Sequence, residues 1–402
     1  MSVTTGKSTD ASAIRPFTIE VPEADLEDLR ARIAATRWPE KETVDDASQG
    51  VQLATMQALA RYWADEHDWR KCEARLNAVP NFITEIDGLD IHFVHVRSKH
   101  EDALPLIVCH GWPGSVIEQL KIVDLLTDPT AHGASASDAF HVVIPNMPGY
   151  GFSGKPTTTG WDPIHIARAW VELMKRLGYT QFVAAGGDWG GIVVDVMAAE
   201  PAPPELIGIH STFAGVFPAE IENAIATHGE LPPDLSADER LAVDRLAAAY
   251  QYAGQAEMGW HPQSLFGLAD SPVALAAWIV DHDPVSYKTL IAPAFVDGVE
   301  GGLTRDDLLD NITLFWLTNT GVSASRIYWE HKATWAGVRG VSIPVAVSNF
   351  PDDVVYSPRS WAEQAYPNLI HFNDVDRGGH FAAWEQPELY ASELRDGLRS
   401  LR

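Results

Sequence analysis

Three acidic and basic positions, far apart in the chain, have the types and order needed for covalent hydrolysis: Asp188, then Asp352 or Asp353, then His380. Asp188 stands in Gly186-Gly187-Asp188-Trp189-Gly190-Gly191, between an apolar run from Gln181 to Ala185 and a helix-like run from Ile192 to Ala199. Strand, tight Gly-flanked turn, helix is the layout of a nucleophile elbow, where flanking side chains would strike the neighbouring strand and helix. A carboxylate with an ordinary pKa of about 4 is anionic at neutral pH. It attacks an electrophilic carbon without first losing a proton and becomes an ester. Taken alone, the stretch also suits a Gly-rich turn with a capping Asp, so the partners decide. Clearing an ester takes water and a base. His380, in the Gly-flanked run Asp376-Arg377-Gly378-Gly379-His380-Phe381, can accept the water's proton. Asp352 and Asp353 follow an apolar run, Ile343 to Ser348, and either suits the acid that orients the histidine. The backbone N–H of Trp189, next after the nucleophile, and that of Trp112, in His110-Gly111-Trp112-Pro113, are the candidates for an oxyanion hole.

These residues need rigid elements behind them. Leu104 to Cys109, Phe140 to Asn146, the run before Asp188, Leu206 to Ser211, Ile343 to Ser348 and Leu369 to Val375 read as buried strands. Helices ending at Leu126, running from Pro163 to Leu177 and closing the chain from Pro387 to Leu401 alternate with them. Alternation of this kind predicts an α/β fold with a mostly parallel sheet, and ligands bound at the carboxyl ends of its strands. Residues from about 213 to 335 break the pattern with helical runs at Ala237–Tyr252, Pro272–Val280 and Leu308–Trp316, which predicts a cap inserted after the strand at 206–211. The N-terminal part reads differently again. Phe17 to Pro22 is extended, and helices are predicted at Glu23–Arg37, Val51–Asp65 and Trp69–Leu76. A hairpin then turns at Asp87-Gly88 between Phe82–Ile86 and Leu89–Val96. The predicted division is 1–97 as an N-terminal extension, with 1–12 disordered, 98–212 and 336–402 as the core, and 213–335 as the cap. The extension carries apolar helix faces and no catalytic set, so it is expected to act as a brace, with Trp38 buried.

The 402 residues are 46% hydrophobic and 21% charged, which suits a soluble globular protein with a large core. A net charge of −26 excludes a basic footprint for nucleic acid or an anionic membrane. Cys72 and Cys109 are the only cysteines, fitting a reduced, cytoplasmic setting. The polar N-terminus and the lack of a ~20-residue apolar run predict no membrane anchor.

The chain order nucleophile, acid, histidine is that of the α/β-hydrolase fold. Within that fold the chain resembles epoxide hydrolases of the microsomal and juvenile-hormone branch and its soluble bacterial relatives. The resemblance runs from about Ile14 to the C-terminus. It rests on Phe17 to Trp38-Pro39, Ile86-Asp87-Gly88-Leu89-Asp90-Ile91-His92-Phe93, His110-Gly111-Trp112-Pro113-Gly114-Ser115, Gly187-Asp188-Trp189-Gly190, Asp270-Ser271-Pro272-Val273 and Arg377-Gly378-Gly379-His380-Phe381. It implies Asp188 as nucleophile, His380 as base, and Asp353 rather than Asp352 as the orienting acid. It also implies two lid tyrosines that hydrogen-bond the epoxide oxygen. Tyr328, in Ser325-Arg326-Ile327-Tyr328, matches one. Tyr252, ahead of Pro262-Gln263-Ser264-Leu265, is the candidate for the other at a departing spacing, with Tyr250 as its rival. A phenol suits the task, since opening a strained ether leaves an alkoxide to stabilise or protonate. The expected reaction is hydrolysis of an epoxide to a vicinal diol, without cofactor or metal. Fourteen Trp and ten Tyr suit an apolar or aromatic substrate, and a homodimer is compatible with the chain. Two alternatives remain at this stage. A haloalkane dehalogenase would use the same Asp-Trp pair and release halide, and a silent binding protein on the same fold would lack turnover altogether.

Overall fold

The computed structural model describes residues 12–297 and 302–402. The expectation of disorder for residues 1–12 lies, but for Ser12, outside them. Nine strands form one sheet in the order β1-β2-β3-β5-β4-β6-β7-β8-β9: β1 (Arg15–Phe17), β2 (Asn81–Ile86), β3 (Leu89–Val96), β4 (Leu104–Cys109), β5 (Phe140–Pro145), β6 (Phe182–Gly186), β7 (Leu206–Ser211), β8 (Val345–Asn349) and β9 (Leu369–Asp374). From β5 across to β9 every pairing is parallel. β4, β5, β6 and β8 are short runs of apolar or small residues, and nearly every position is buried because helices cover both faces. Helices Val116–Thr127, Pro163–Arg176, Asp188–Ala198 and Pro387–Leu398 supply those layers.

The hairpin β2–β3 turns at Asp87 and Gly88, both at positive φ (50° and 79°), as the two-residue turn requires. Its second strand does more than close a hairpin. β3 pairs antiparallel with β5 from Phe93↔Pro145 to Val96↔Val142, so the sheet runs on without a break across residue 97. Ahead of the hairpin, helices Glu23–Ala34, Leu53–Asp65 and Trp69–Asn77 bury Leu26, Leu29, Ile33, Met56, Leu59, Trp63, Trp69 and Leu76 in the same apolar cluster as the sheet. The first helix stops at Ala34, short of the expected Arg37. Trp38 is 36% exposed, and the expectation that it would be buried is wrong. Once the helix has ended, Trp38 no longer belongs to the Leu26–Leu29–Ile33 stripe, and the following proline disfavours helical backbone.

The chain leaves the sheet after β7 and returns near Ala336, where the Phe217 N–H bonds the Ala336 carbonyl and Phe217 bridges Gly337. Between these points the described residues are helical, including Ala237–Ala249, Ala253–Trp260, Pro272–Asp281, Arg305–Thr318 and Gly321–Glu330. Tyr287–Asp297 is wound more widely, as a π-helix with Pro293 inside it. The N-terminal helices brace this cap. Trp63 Nε1 donates to Thr313 Oγ1 (2.8 Å), Tyr62 Oη to Asp306 Oδ1 (3.0 Å), and His67 Nε2 lies 2.8 Å from Asp310 Oδ1, all on the helix Arg305–Thr318. No helix among the described residues is long and apolar enough to cross a membrane. Cys72 and Cys109 are buried and unpaired.

Candidate active site

β6 ends at Gly186, and the helix Asp188–Ala198 starts at once. Asp188 makes the corner at φ 51°, a left-handed conformation that costs a non-glycine residue of order 1 kcal/mol or more and persists only where packing enforces it. That packing is specific. A Cβ at Gly190 would land on the Cys109 carbonyl at the end of β4, and one at Gly186 on the backbone of Gly190. A Cβ at Gly111 would land on the Asp188 carboxylate itself. Three glycines thus let strand, loop and helix close around one side chain.

The loop after β4 provides the first polar contact. The Trp112 N–H donates to Asp188 Oδ1 at 2.7 Å. His110 holds this loop from below. The Met147 N–H donates to its Nε2 (3.2 Å), which leaves Nδ1 to donate to the Gly111 carbonyl (3.0 Å). Burial lowers the pKa of His110 to about 4, so it stays neutral and structural. Trp189, the other expected oxyanion donor, follows Asp188 in the first helical turn and sets its ring edge-on to Tyr328, with centroids 4.7 Å apart.

On the other side of Asp188, His380 Nε2 lies 3.5 Å from Oδ2, and His380 Nδ1 lies 2.7 Å from Asp353 Oδ1. Asp353 is buried and also accepts from the Val354 N–H at 2.6 Å. Asp352, the alternative, points to solvent and pairs with Lys288 Nζ at 2.6 Å. Arg245 of the cap helix Ala237–Ala249 ties the acid loop down through the carbonyls of Pro351 (2.8 Å) and Asp353 (3.1 Å). Burial opposes a charge on His380. The Asp353 carboxylate, with the hydrogen bonds and charge of Asp188, outweighs it and holds the pKa well above the ordinary value.

Tyr328 enters from the cap helix Gly321–Glu330. Burial, then the charge of Asp188, raises its pKa well above 10, so it is a neutral hydrogen-bond donor. It lines a closed cavity together with Trp112, Asp188, Trp189, His380 and the apolar walls of Phe213 and Trp335. Its free volume is about 20 Å³, against the ~300 Å³ or more of a pocket holding a small molecule. The larger groove, about 1030 Å³, lies beside Ile327 and Trp329, and its lining includes none of Asp188, Asp353 and His380.

Tyr252, the expected second lid tyrosine, and its rival Tyr250 stand behind the residues that line this cavity. Tyr252 caps the helix Ala253–Trp260, and Tyr250 bonds Glu222 Oε1 (3.1 Å) and stacks on the outer side of the site, against Trp335 at 5.5 Å. From this segment it is Gln255 that reaches the cavity. It is buried, and its Oε1 has no partner. One helical turn beyond Tyr252, Gln255 faces inward while the tyrosine stays at the cap position. Asp283 and His282, another acid–histidine pair and one that no sequence pattern singles out, lie 2.7 Å apart at the cavity wall. His282 holds the Asp283 pKa near 2 against the opposing effect of burial. Asp283-Pro284 is a readable helix-start signal, and Asp283 does cap Ser286, but nothing local says that this helix start faces the nucleophile. No cluster of His, Cys, Asp and Glu among the described residues is arranged to hold a metal ion.

Residues 14–119 match the family described as epoxide hydrolase N terminus, and residues 105–264 match the alpha/beta hydrolase fold. A provisionally named epoxide hydrolase of Stigmatella aurantiaca is 49% identical, over 97% of this chain and 86% of its own. Epoxide hydrolase 1 of Sus scrofa is 35% identical, over 95% and 88%. Among solved structures, an enantioselective mutant of the Aspergillus niger epoxide hydrolase superposes with a TM-score of 0.81 at 30% identity, over 98% of both chains.

Proposed function

The chain belongs to the epoxide hydrolase family and is an epoxide hydrolase, and from that premise we propose that it opens its substrate through a covalent ester on Asp188. The observation that carries the reading is His380 set between Asp353 (2.7 Å) and Asp188 (3.5 Å), with the phenol of Tyr328 in the same cavity. An Asp188 carboxylate oxygen attacks an oxirane carbon, and the C–O bond of the ring breaks. Tyr328 donates to the developing alkoxide. Water then adds to the Asp188 carbonyl carbon as His380 takes its proton. The Trp112 and Trp189 N–H groups stabilise the tetrahedral oxyanion. Its collapse returns the carboxylate and releases a vicinal diol.

Electrostatics orders these steps. In the resting site His380 is paired with two carboxylates, and its proton is held. Esterification abolishes the charge of Asp188 and with it that share of the stabilisation, so the imidazolium gives up its proton to the alkoxide that ring opening leaves, with Tyr328 as the immediate donor, and the neutral imidazole is then free to act as a base on water while the ester waits. Apolar walls from Trp112, Ile192, Phe213, Val285, Trp335 and Val354 support an apolar or aromatic epoxide as substrate. The dehalogenase alternative lacks comparable support, because a departing halide needs no phenol as acid. The three-part division at residues 97, 212 and 335 is likewise our proposal for the chain's organisation.

The test is intact-protein mass spectrometry after brief exposure to an epoxide. His380→Gln should gain the mass of one whole substrate, mapped to Asp188, while Asp188→Ala gains none. An adduct in Asp188→Ala, or normal turnover by His380→Gln, would falsify the mechanism.

A further inference from the structure

Behind the nucleophile, on the side away from the cap, lies a separate small chamber. Gly111, Trp112, Glu118, Gly187, Asp188, Thr212 and His380 contribute to its lining. Its free volume is about 20 Å³, room for one water by the ~10–15 Å³ that a single probe sphere needs. Asp188, His380 and Trp112 line both this chamber and the substrate cavity, so the reacting groups form the partition between the two.

Glu118 is the unusual member. It stands at the third position of the helix Val116–Thr127, behind the N-cap Ser115. Ser-x-x-Glu at that spacing ordinarily closes a capping box, the carboxylate reaching back to the N-cap N–H. Here Ser115 accepts from the Ile117 N–H, and its hydroxyl donates to Asn311 Oδ1 (2.7 Å). Glu118 instead turns inward, is buried, and accepts from Gln119 Nε2 at 2.7 Å. A Cβ at Gly114 would land on its carboxyl, so the Gly-Ser turn leaves the room that the inward rotamer occupies. Burial, with the Asp188 charge adding to it, raises its pKa to about 8, which leaves a mostly neutral carboxyl beside the reacting pair at pH 7. Beside it Gln119 Oε1, which also lines the chamber, is buried without a partner, and such an atom in a water-sized hole is costly unless something there bonds it.

We propose that this chamber holds the hydrolytic water, and that Glu118 is the positioning residue that aims it at the Asp188 ester carbon. The proposal rests on the covalent reading above. One O–H of the water points to His380 Nε2 and the other to the Glu118 carboxyl. The water oxygen bonds to the ester carbon from the chamber side while its proton passes to His380. The tetrahedral oxyanion is held by the Trp112 N–H. The bond from the carbon to the alkyl oxygen then breaks, and that oxygen takes the proton back from His380. Substrate and water thus reach one carbon from opposite sides, and the water need not pass the bound alkyl group.

The experiment separates the two half-reactions in the full-length enzyme, with styrene oxide as probe, by rapid quench and intact mass. Glu118→Met keeps the length and burial but removes the polar atoms. It should form the ester within about twofold of the wild-type rate and clear it at least tenfold more slowly, so that ester accumulates and kcat and KM fall together. Glu118→Gln, which keeps hydrogen-bonding groups, should recover most of the lost hydrolysis, as a merely structural role would not predict. Wild-type clearance by Glu118→Met, or equal slowing of both steps, overturns the proposal. If Glu118→Met fails to fold by circular dichroism, Thr212→Val carries the same test from the other wall, with wild-type clearance again the overturning result. If the wild type makes diol but no ester appears even in His380→Gln, the covalent mechanism itself falls and the role of Glu118 falls with it.

Discussion

In the mechanism we propose, a carboxylate nucleophile needs no base to attack, and a histidine held protonated between two carboxylates cannot take a proton from water until one of them loses its charge. Both facts act at single atoms: Asp188 Oδ1 on the Trp112 N–H, Oδ2 facing His380, and Asp353 behind the imidazole. We propose a single phenol, Tyr328, as the acid for the leaving oxygen, since it lines the cavity and Tyr252 and Tyr250 stand behind that lining. Tyr328→Phe is therefore expected to slow alkylation by about 10- to 100-fold, or ~1.4–2.7 kcal/mol of barrier, with the fold intact. Tyr252→Phe should stay within about threefold of wild type. Single-turnover rates with styrene oxide check both, and equal losses in the two variants would restore Tyr252 to the site.

At the scale of elements, the site is a strand end, a loop and a helix start forced close together. The glycines of this junction are not equivalent. Gly190 faces the carbonyl backbone of Cys109, which cannot retreat without pulling β4 out of register. Gly111 faces Asp188 itself, from the carboxyl oxygen in to the Cβ, so relief there must move the corner residue and not only its carboxylate. Gly190→Ala is expected to destabilise the protein by about 1–3 kcal/mol, read as a lowered Tm. Gly111→Ala is expected to lower Tm as well and to lose alkylation by 100-fold or more, because Asp188 is the residue displaced. Wild-type alkylation by Gly111→Ala would contradict this. The cap is held just as locally, through Arg245 on the acid loop and Tyr328 in the cavity beside Asp188.

At the scale of the molecule, the N-terminal region ties the cap to the sheet. Its helices reach Thr313, Asp306 and Asp310 of the cap, while its hairpin adds β3 to the edge of β5. A chain beginning at residue 98 would lose both, exposing the β5 edge and the apolar surface that Leu59, Trp63 and Trp69 cover. It should aggregate or fail to give a cooperative melt, and a soluble, fully active product would show that the extension is dispensable.

What the sequence determined by itself was whatever is written in short windows. The alternation of strands and helices in the core, the positive-φ turn at Asp87-Gly88, the Gly-flanked elbow and the chain order of Asp188, an aspartate at 352 or 353 and His380 all belong here. β4 and β7 begin and end at the residues expected, because a buried strand bounded by turn residues carries its limits in its own composition. Tertiary structure decided whatever depends on which way a side chain turns. Asp352 and Asp353 are neighbours of the same type, yet one meets Lys288 at the surface and the other His380 in the interior. Tyr252 has the right chemistry, and Gln255, one turn further on, has the cavity. Trp38 is apolar enough to be core, and the helix that would have carried it inward ends at Ala34. Glu118 carries a capping signature and lies buried beside the nucleophile, because Gly114 and the Asp188–His380 partition leave a hole there that no local pattern records.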